Sequence, residues 1–138
     1  MRSFPVPRPL LPLAISVPLL FSGCSKEPGE GGKALIRGTV YAVEYNDNTG
    51  QPTGNEFYVP EYRVYIRYGD GDFYDDDTRT GPNGEFEFRW LRPGSYTVFT
   101  YSECPEDCDS GVELVSRIVE INKKKDEVTV PIFQVQLW

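Results

Sequence analysis

Histidine is absent from this chain of 138 residues, and that absence excludes several kinds of enzyme. A Ser-His-Asp or Cys-His nucleophile needs an imidazole base, and many catalytic metal sites need imidazole ligands. A glycosidase that uses two carboxylates is not excluded, but no pattern singles out two of the 21 acidic residues. The sequence therefore predicts a protein that is not an enzyme.

Basic residues are also scarce, because 14 Lys and Arg stand against 21 Asp and Glu and give a formal net charge of −7. Nucleic-acid binding relies on clusters of Lys and Arg, so this balance argues against a nucleic-acid partner. It also argues against docking on an anionic lipid surface through protein charge. We interpret the lysine run at 123–125 as a solvated hairpin tip, because three isolated charges are few for a binding patch.

Long apolar runs are missing as well, since none reaches the roughly 18 residues that a membrane-spanning helix requires. The longest one, Leu10–Phe21, follows Arg2 and Arg8 and precedes the small residues Ser22 and Gly23. This order is typical of a secretory signal peptide. It predicts export of the mature chain.

The segment Phe21-Ser22-Gly23-Cys24 resembles the lipobox of bacterial lipoprotein signals, although leucine is commoner than phenylalanine at its first position. The resemblance implies cleavage before Cys24, acylation of that residue and an anchor in the outer membrane. Several acyl chains hold firmly, because each buried methylene adds about 0.8 kcal/mol. Ser25-Lys26-Glu27 resembles the export signals of some Bacteroidetes-type surface lipoproteins, and an ordinary linker is the alternative. Both the surface and the periplasmic face therefore stay open.

The remaining chain alternates apolar and polar residues as β-strands do, with Gly-, Pro- and Asn-rich turns between the strands. Residues 24–33 predict a flexible tether after a signal peptide at 1–23, and residues 34–138 predict one folded domain. Residues 46–55 read as a loop, residues 73–80 as a short edge strand, and Pro131 as a bulge within the last strand. About seven strands predict an all-β sandwich of two sheets. The expected core comprises Ile36, Val40, Val64, Ile66, Phe86, Phe88, Leu91, Tyr96, Val98, Ile118, Val128 and Val130.

An ordered motif supports this prediction, and its residues are Thr80, Gly84, Phe86, Phe88, Leu91, Pro93, Gly94, Ser95, Tyr96 and Val98. With Ile36-x-Gly38-x-Val40 before it, the motif resembles the carboxypeptidase regulatory-like (transthyretin-like) domain. The resemblance covers 34–135 and implies a seven-stranded antiparallel Greek-key sandwich of the prealbumin-like kind. Such domains are accessory modules in many unrelated proteins, so the resemblance implies no catalytic activity.

Cys104 and Cys108 are left as a pair once Cys24 is acylated. An exported compartment permits a disulfide across this short loop. Three residues separate the thiols, whereas two do so in the thioredoxin-type motif, and two cysteines without histidine leave zinc coordination incomplete. We therefore predict a structural disulfide.

An acidic run is the one constellation with plausible metal chemistry, and it contains Asp70, Asp72, Asp75, Asp76 and Asp77. Calcium takes six to eight oxygen ligands, which closely spaced carboxylates near a turn supply. The spacing does not match the helix-flanked calcium loop. We expect a solvated loop and edge strand without a cofactor, and a calcium site is the alternative.

Two non-enzymatic functions from different classes remain. The first is an accessory module that docks on an envelope protein, for example by edge-strand addition. The second is a glycan-binding module that uses exposed aromatic residues, and ordinary core or cross-strand packing is the alternative explanation for most of them. A flat exposed cluster of three rings would favour the glycan; scattered rings beside a bare uncharged edge would favour the protein. The candidate rings are Tyr45, Phe57, Tyr58, Tyr65, Phe99, Tyr101 and Trp138.

Overall fold

The computed structural model describes residues 26–106 and 108–138, so the predicted signal peptide and Cys24 lie outside the described residues. Within these ranges, no helix is long and apolar enough to cross a membrane. The described residues form nine strands in two sheets: β1 (Glu30–Asn46), β2 (Gln51–Tyr58), β3 (Arg63–Tyr68), β4 (Asp76–Arg79), β5 (Glu85–Leu91), β6 (Gly94–Glu103), β7 (Val112–Ile121), β8 (Glu127–Thr129) and β9 (Phe133–Leu137). The prediction of an all-β, two-sheet protein is confirmed.

The first sheet is built around β1, which begins at Glu30, inside the segment predicted as a tether. The first half of β1 pairs antiparallel with β5 and parallel with β8. Its second half pairs antiparallel with β2 and parallel with β9. This sheet is therefore mixed, whereas the sequence predicts antiparallel strands throughout.

The second sheet has the order β4-β3-β6-β7, and all its neighbours are antiparallel. Its longest pairing joins β6 to β7, from Gly94 opposite Ile121 to Glu103 opposite Val112. The short strand β4 lies at one edge, as its charged sequence predicts. The long strand β7 lies at the other edge.

The core lies between the two sheets, and the residues predicted for it are buried or packed against it with one exception. Ile118 is 79% exposed, so its assignment to the core is wrong. Strand β7 carries apolar residues in both phases, and alternation alone therefore cannot choose between them. The register decides: Val119 lies opposite the fully buried Tyr96, and side chains that face each other across a pair share one side of the sheet.

Strand β2 begins at Gln51, within the residues 46–55 that we predict as a loop. All eight of its residues are exposed, so it has no apolar period, and it exists because it pairs with β1. Side-chain hydrogen bonds and a glycine define the turn before β2. The side-chain oxygen of Asn46 accepts the N–H groups of Asn48 (2.9 Å) and Thr49 (3.1 Å), and Gly50 adopts a positive φ of 64°.

The predicted bulge at Pro131 separates β8 from β9. The chain from Thr129 to Phe133 has one residue more than the facing chain from Arg37 to Val40, and Pro131 lies in this irregular stretch. The lysine run precedes β8, and residues 122–126 connect β7 in the second sheet to β8 in the first. The prediction of a hairpin tip is therefore wrong, because these two strands do not pair with each other.

Gly38 of the segment Ile36-x-Gly38-x-Val40 is buried where β1 crosses the core. A Cβ atom at this position would lie 2.6 Å from Val130 Cγ2 and 2.7 Å from Phe86 Cζ. Both distances are shorter than van der Waals contact. Glycine is therefore required here, because the side chains of Phe86 and Val130, which lie beside β1, fill the space that a Cβ would take.

Candidate functional site

The outer face of the second sheet carries a group of aromatic side chains that do not belong to the core. Tyr65 of β3 lies directly opposite Phe99 of β6. Their rings are stacked, with centroids 5.2 Å apart and planes 14° from parallel. The alternation of both strands produces this pair, because Val64, Ile66 and Val98 point into the core and leave the intervening residues on the outside.

Two more rings join this pair. The ring centroid of Tyr101 lies 5.8 Å from that of Tyr65 and 6.0 Å from that of Phe99, and both contacts are edge to face. The ring centroid of Tyr74 lies 4.9 Å from that of Tyr65. Tyr101 is 42% exposed and Tyr74 is 51% exposed. We call Tyr65, Tyr74, Phe99 and Tyr101 the aromatic cluster.

Polar groups border the aromatic cluster on the same face. Arg63 and Arg67 flank Tyr65 along β3, and Asp77 of β4 lies opposite Tyr65. The Arg63 and Asp77 side chains form an ion pair at 3.3 Å, and Arg67 donates to Thr97 Oγ1 at 3.3 Å. The surface therefore offers guanidinium donors and a carboxylate acceptor beside exposed rings.

Aliphatic side chains extend this face toward the edge of the sheet. Leu114 of β7 lies opposite Tyr101, and Ile118 lies opposite Thr97. Both are exposed, as is Val112. The inward side of β7 carries Arg117, whose guanidinium lies 5.1 Å from the centroid of the Phe133 ring. A charged side chain turned inward on an edge strand discourages unspecific pairing with other strands.

The structure brings together three of the seven predicted aromatic residues, namely Tyr65, Phe99 and Tyr101. The other four belong to the first sheet or to the chain end. The rings of Tyr45 and Trp138 are stacked, with their centroids 4.8 Å apart. Phe57 and Tyr58 are exposed on β2. Sequence reasoning missed Tyr74 because it lies within the acidic run, where no alternating pattern marks it.

The acidic run divides between the loop after β3 and the strand β4. Asp75 accepts the backbone N–H of Tyr68 at 2.6 Å, and Asp77 is paired with Arg63. Asp76 and Asp77 are consecutive in β4, so their side chains leave opposite faces of the sheet. Among the described residues, no three acidic or cysteine side chains are grouped as metal ligands. The calcium hypothesis for Asp70 to Asp77 stays a prediction.

These carboxylates do affect a neighbouring tyrosine. Burial raises the pKa of Tyr68 to about 12, and the negative charges of Asp76, Glu30 and Asp75 add to the effect. Deprotonation of this phenol would place another negative charge among them. Tyr68 therefore stays neutral at physiological pH.

Cys104 and Cys108 form a disulfide at the end of the β6–β7 hairpin, with their Cα atoms 5.6 Å apart. The loop is also closed by backbone hydrogen bonds, since Cys104 N–H donates to Gly111 O at 2.9 Å and Gly111 N–H donates to Cys108 O at 3.0 Å. Both cysteines lie in the connection between β6 and β7, and the bridge closes part of this loop, as we predict. Lipid attachment at Cys24 lies outside the described residues and stays a prediction.

Fold and site together define an all-β protein of two packed sheets with an aromatic cluster on one outer face. No protein-family model matches the chain, and no curated protein matches it. A solved structure of a proposed carbohydrate-binding protein from Pseudomonas aeruginosa is similar at 13% identity and a TM-score of 0.45, over 79% of this chain and 91% of that chain. The structure of (S)-allantoin synthase is similar at 12% identity and a TM-score of 0.35, over 73% of this chain and 41% of that chain. At these values the likenesses assign the chain to no family.

Proposed function

We propose that this protein is a non-catalytic binding module of the cell envelope and that its aromatic cluster binds a glycan. One observation carries the proposal: the ring centroids of Tyr65, Phe99 and Tyr101 lie within 6.0 Å of one another on an outer sheet face. The C–H faces of sugar rings pack on aromatic rings, and their hydroxyl groups need donors and acceptors nearby. Arg63 and Asp77 border the rings and supply both.

The non-catalytic part of the proposal follows from composition. The chain has no histidine, Asp77 is paired with Arg63, and Asp75 accepts the backbone N–H of Tyr68. A carboxylate oxygen that is engaged with a guanidinium is less free to accept a proton from a substrate. The site therefore favours binding over chemistry.

The proposal includes the finer predictions about family and location. The chain is a carboxypeptidase regulatory-like domain of the transthyretin-like kind, held at the outer membrane through an acylated Cys24. Several residues of the motif have structural roles that support this family. Gly38 leaves the space that the Phe86 and Val130 side chains fill, and Thr80 accepts the N–H of Tyr62 at 2.8 Å and donates to Val59 O, which fixes the turn before β3.

A glycan array followed by calorimetry tests the binding function. We expect the protein to bind one class of oligosaccharide and Tyr101→Ala to weaken that binding about tenfold, which corresponds to about 1.4 kcal/mol. Tyr58→Ala is the matched control, because Tyr58 has a similar exposure of 48% but lies in the other sheet. Equal binding by both variants, or no binding to any glycan on the array, would contradict the proposal.

A protein partner is the second candidate, and the edge strand β7 favours it. Among the described strands β7 has a partner on one side only, and its outer face exposes Val112, Leu114 and Ile118. A partner strand could add to this edge and cover these side chains. A photocrosslinking residue at position 118, introduced in cells, would then capture one specific envelope protein. The same photocrosslinking residue at position 57 is the control. If position 118 captured no protein that position 57 does not also capture, the glycan would be left as the ligand.

A further inference from the structure

Five basic residues line one cavity at the end of the molecule where the described chain begins. The cavity has a volume of about 600 Å³ and is lined by Lys26, Lys33, Arg92, Lys124 and Lys125 together with Gly31, Gly32 and Pro93. None of these residues is acidic. We call this cavity the basic pocket.

Three distant segments build the basic pocket, and hydrogen bonds hold them in place. The hydroxyl of the buried Tyr96 accepts the N–H of Gly29 at 2.8 Å and donates to the carbonyl oxygen of Arg92 at 2.6 Å. Arg92 N–H in turn donates to Gly29 O at 2.8 Å. The lysine segment is tied to β1 by Leu35 N–H, which donates to Asp126 O at 2.9 Å. The pocket is therefore preformed by the fold.

None of the five cations of the pocket belongs to an ion pair among the described residues. The pocket holds five of the 14 cations of an otherwise acidic chain. The three ion pairs in the described ranges are all elsewhere, and they use Arg37, Arg63 and Arg89. The Nε atom of Arg92 is buried and has no hydrogen-bond partner among the described residues. A guanidinium with lysines around it suits an anion with several oxygen atoms, such as phosphate.

An exposed tryptophan is close in sequence to a residue that lines this pocket. Trp90 is two residues before Arg92, is 66% exposed, and has a positive φ of 60°, which is unusual for a bulky residue. Tryptophan is enriched at membrane–water interfaces, where its ring is partly buried while its N–H stays near water. Lys26 follows Cys24 by two residues, a chain length of about 7 Å. Any anchor at Cys24 would therefore hold this end of the protein at the membrane.

We propose that the basic pocket binds the phosphate of an anionic lipid headgroup and that Trp90 enters the interface beside it, so that this end of the domain docks on the membrane. The docking depends neither on the ligand of the aromatic cluster nor on acylation. This docking differs from the expectation, based on net charge, that the protein does not dock on an anionic lipid surface. The attraction to a membrane is governed by the protein charges within about a Debye length of its surface, and not by the net charge of the whole chain. The docking also sets an orientation: Tyr101 is seven residues along β6 from Gly94, about 23 Å from this end at about 3.3 Å per residue. Tyr101, in the aromatic cluster, would therefore be held away from the membrane surface.

Vesicle co-sedimentation tests this proposal without the lipid anchor. A chain that begins at Ser25 contains all nine described strands and the whole core, so we expect it to fold. It should bind vesicles of phosphatidylcholine with phosphatidylglycerol and not vesicles of phosphatidylcholine alone. Raising NaCl from about 0.1 M to about 1 M should weaken binding, because the Debye length falls from about 10 Å to about 3 Å.

Two lysines of the same connection supply matched variants. Lys124→Gln should weaken binding about fivefold, as expected for one lysine at an anionic surface, whereas Lys123→Gln should have a clearly smaller effect, because Lys123 does not line the pocket. Trp90→Ala should weaken binding while leaving its salt dependence unchanged. Circular dichroism checks that each variant is folded.

Inorganic phosphate, titrated by calorimetry, distinguishes the two sources of the anion. Phosphate that competes with the vesicles supports recognition of the headgroup phosphate. Phosphate binding without vesicle binding would overturn the membrane assignment and leave a site for a soluble phosphate. Equal losses for Lys123→Gln and Lys124→Gln would overturn the role of the pocket, because they would show a diffuse attraction of charges.

Discussion

The hydroxyl of Tyr96 joins the start of the described chain to the β5–β6 turn, and its removal tests how much this connection stabilises the fold. Tyr96→Phe deletes one hydrogen bond from Gly29 N–H (2.8 Å) and one to Arg92 O (2.6 Å). Each such bond contributes about 0.5–1.5 kcal/mol, and a buried donor left without a partner costs about 1–3 kcal/mol. Gly29 is buried, so its N–H would lack an acceptor.

We expect Tyr96→Phe to lower the free energy of unfolding by about 2–3 kcal/mol. The ring itself stays, with its edge-to-face contact to Tyr68 at 5.7 Å, and so does the bond from Arg92 N–H to Gly29 O. The loss should therefore be smaller than that of a cavity-forming substitution. Since small domains have about 5–15 kcal/mol of stability, the variant should still fold. Urea unfolding, followed by circular dichroism, measures the change.

Tyr101→Phe is the matched control for this experiment. Tyr101 is on the same strand, its ring is 42% exposed, and among the described residues its hydroxyl makes no hydrogen bond. Its unfolding free energy should change by no more than about 0.5 kcal/mol. If the two variants had the same urea midpoint, the argument that Tyr96 fastens the Gly29 segment would be refuted.

Further predictions concern the core, the disulfide and alkaline pH. Gly38→Ala should destabilise the protein by about 1–3 kcal/mol, measured by urea unfolding, because its Cβ would overlap Val130 and Phe86; an unchanged midpoint would mean that these two side chains move aside at little cost. Replacing Cys104 and Cys108 together with serine should lower the free energy of unfolding by about 2 kcal/mol or less, since the closed loop is short, and a loss of folding would contradict this. The raised pKa values of Tyr68, about 12, and of Tyr96, in each case caused first by burial, favour the neutral phenols in the folded state. Their contribution to stability is complete below about pH 10, where unfolded tyrosine titrates, and is lost as the pH rises toward the folded-state values. Urea midpoints at about pH 9 and about pH 11 measure this loss, which should be smaller in Tyr68→Phe; an identical loss in that variant would assign it to other groups.

Much of the strand content follows from local sequence. Val64 and Ile66 alternate with Arg63 and Tyr65, and this pattern alone predicts a half-buried strand with an outward tyrosine. The Gly-Pro-Asn-Gly turn at 81–84 is also predictable, because its residues favour tight turns wherever they occur. Glu61 and Trp90, the two non-glycine residues with positive φ among those described, are not marked by any local pattern.

The pairing of strands is not a local property, and it accounts for the differences from prediction. Strand β2 has no apolar face of its own and forms because β1 offers hydrogen-bonding partners. Strand β7 has apolar residues on both faces, so only its register with β6 places Ile118 outside. In the same way, the alternation predicts Tyr65 and Phe99 as outward residues, but only the β3–β6 pairing makes them stack.

The sequence by itself determines that this chain is all-β, that it lacks the imidazole groups of many enzymes, and that it begins with a segment resembling a lipoprotein signal. These properties depend on composition and on neighbours within a few residues. The tertiary structure alone decides which surfaces exist. Lys26, Arg92 and Lys124 are far apart along the chain, and they meet at one pocket because the Tyr96 hydroxyl and the β1 backbone hold their segments together. Electrostatic binding depends on distance in space, and the sequence does not record that distance.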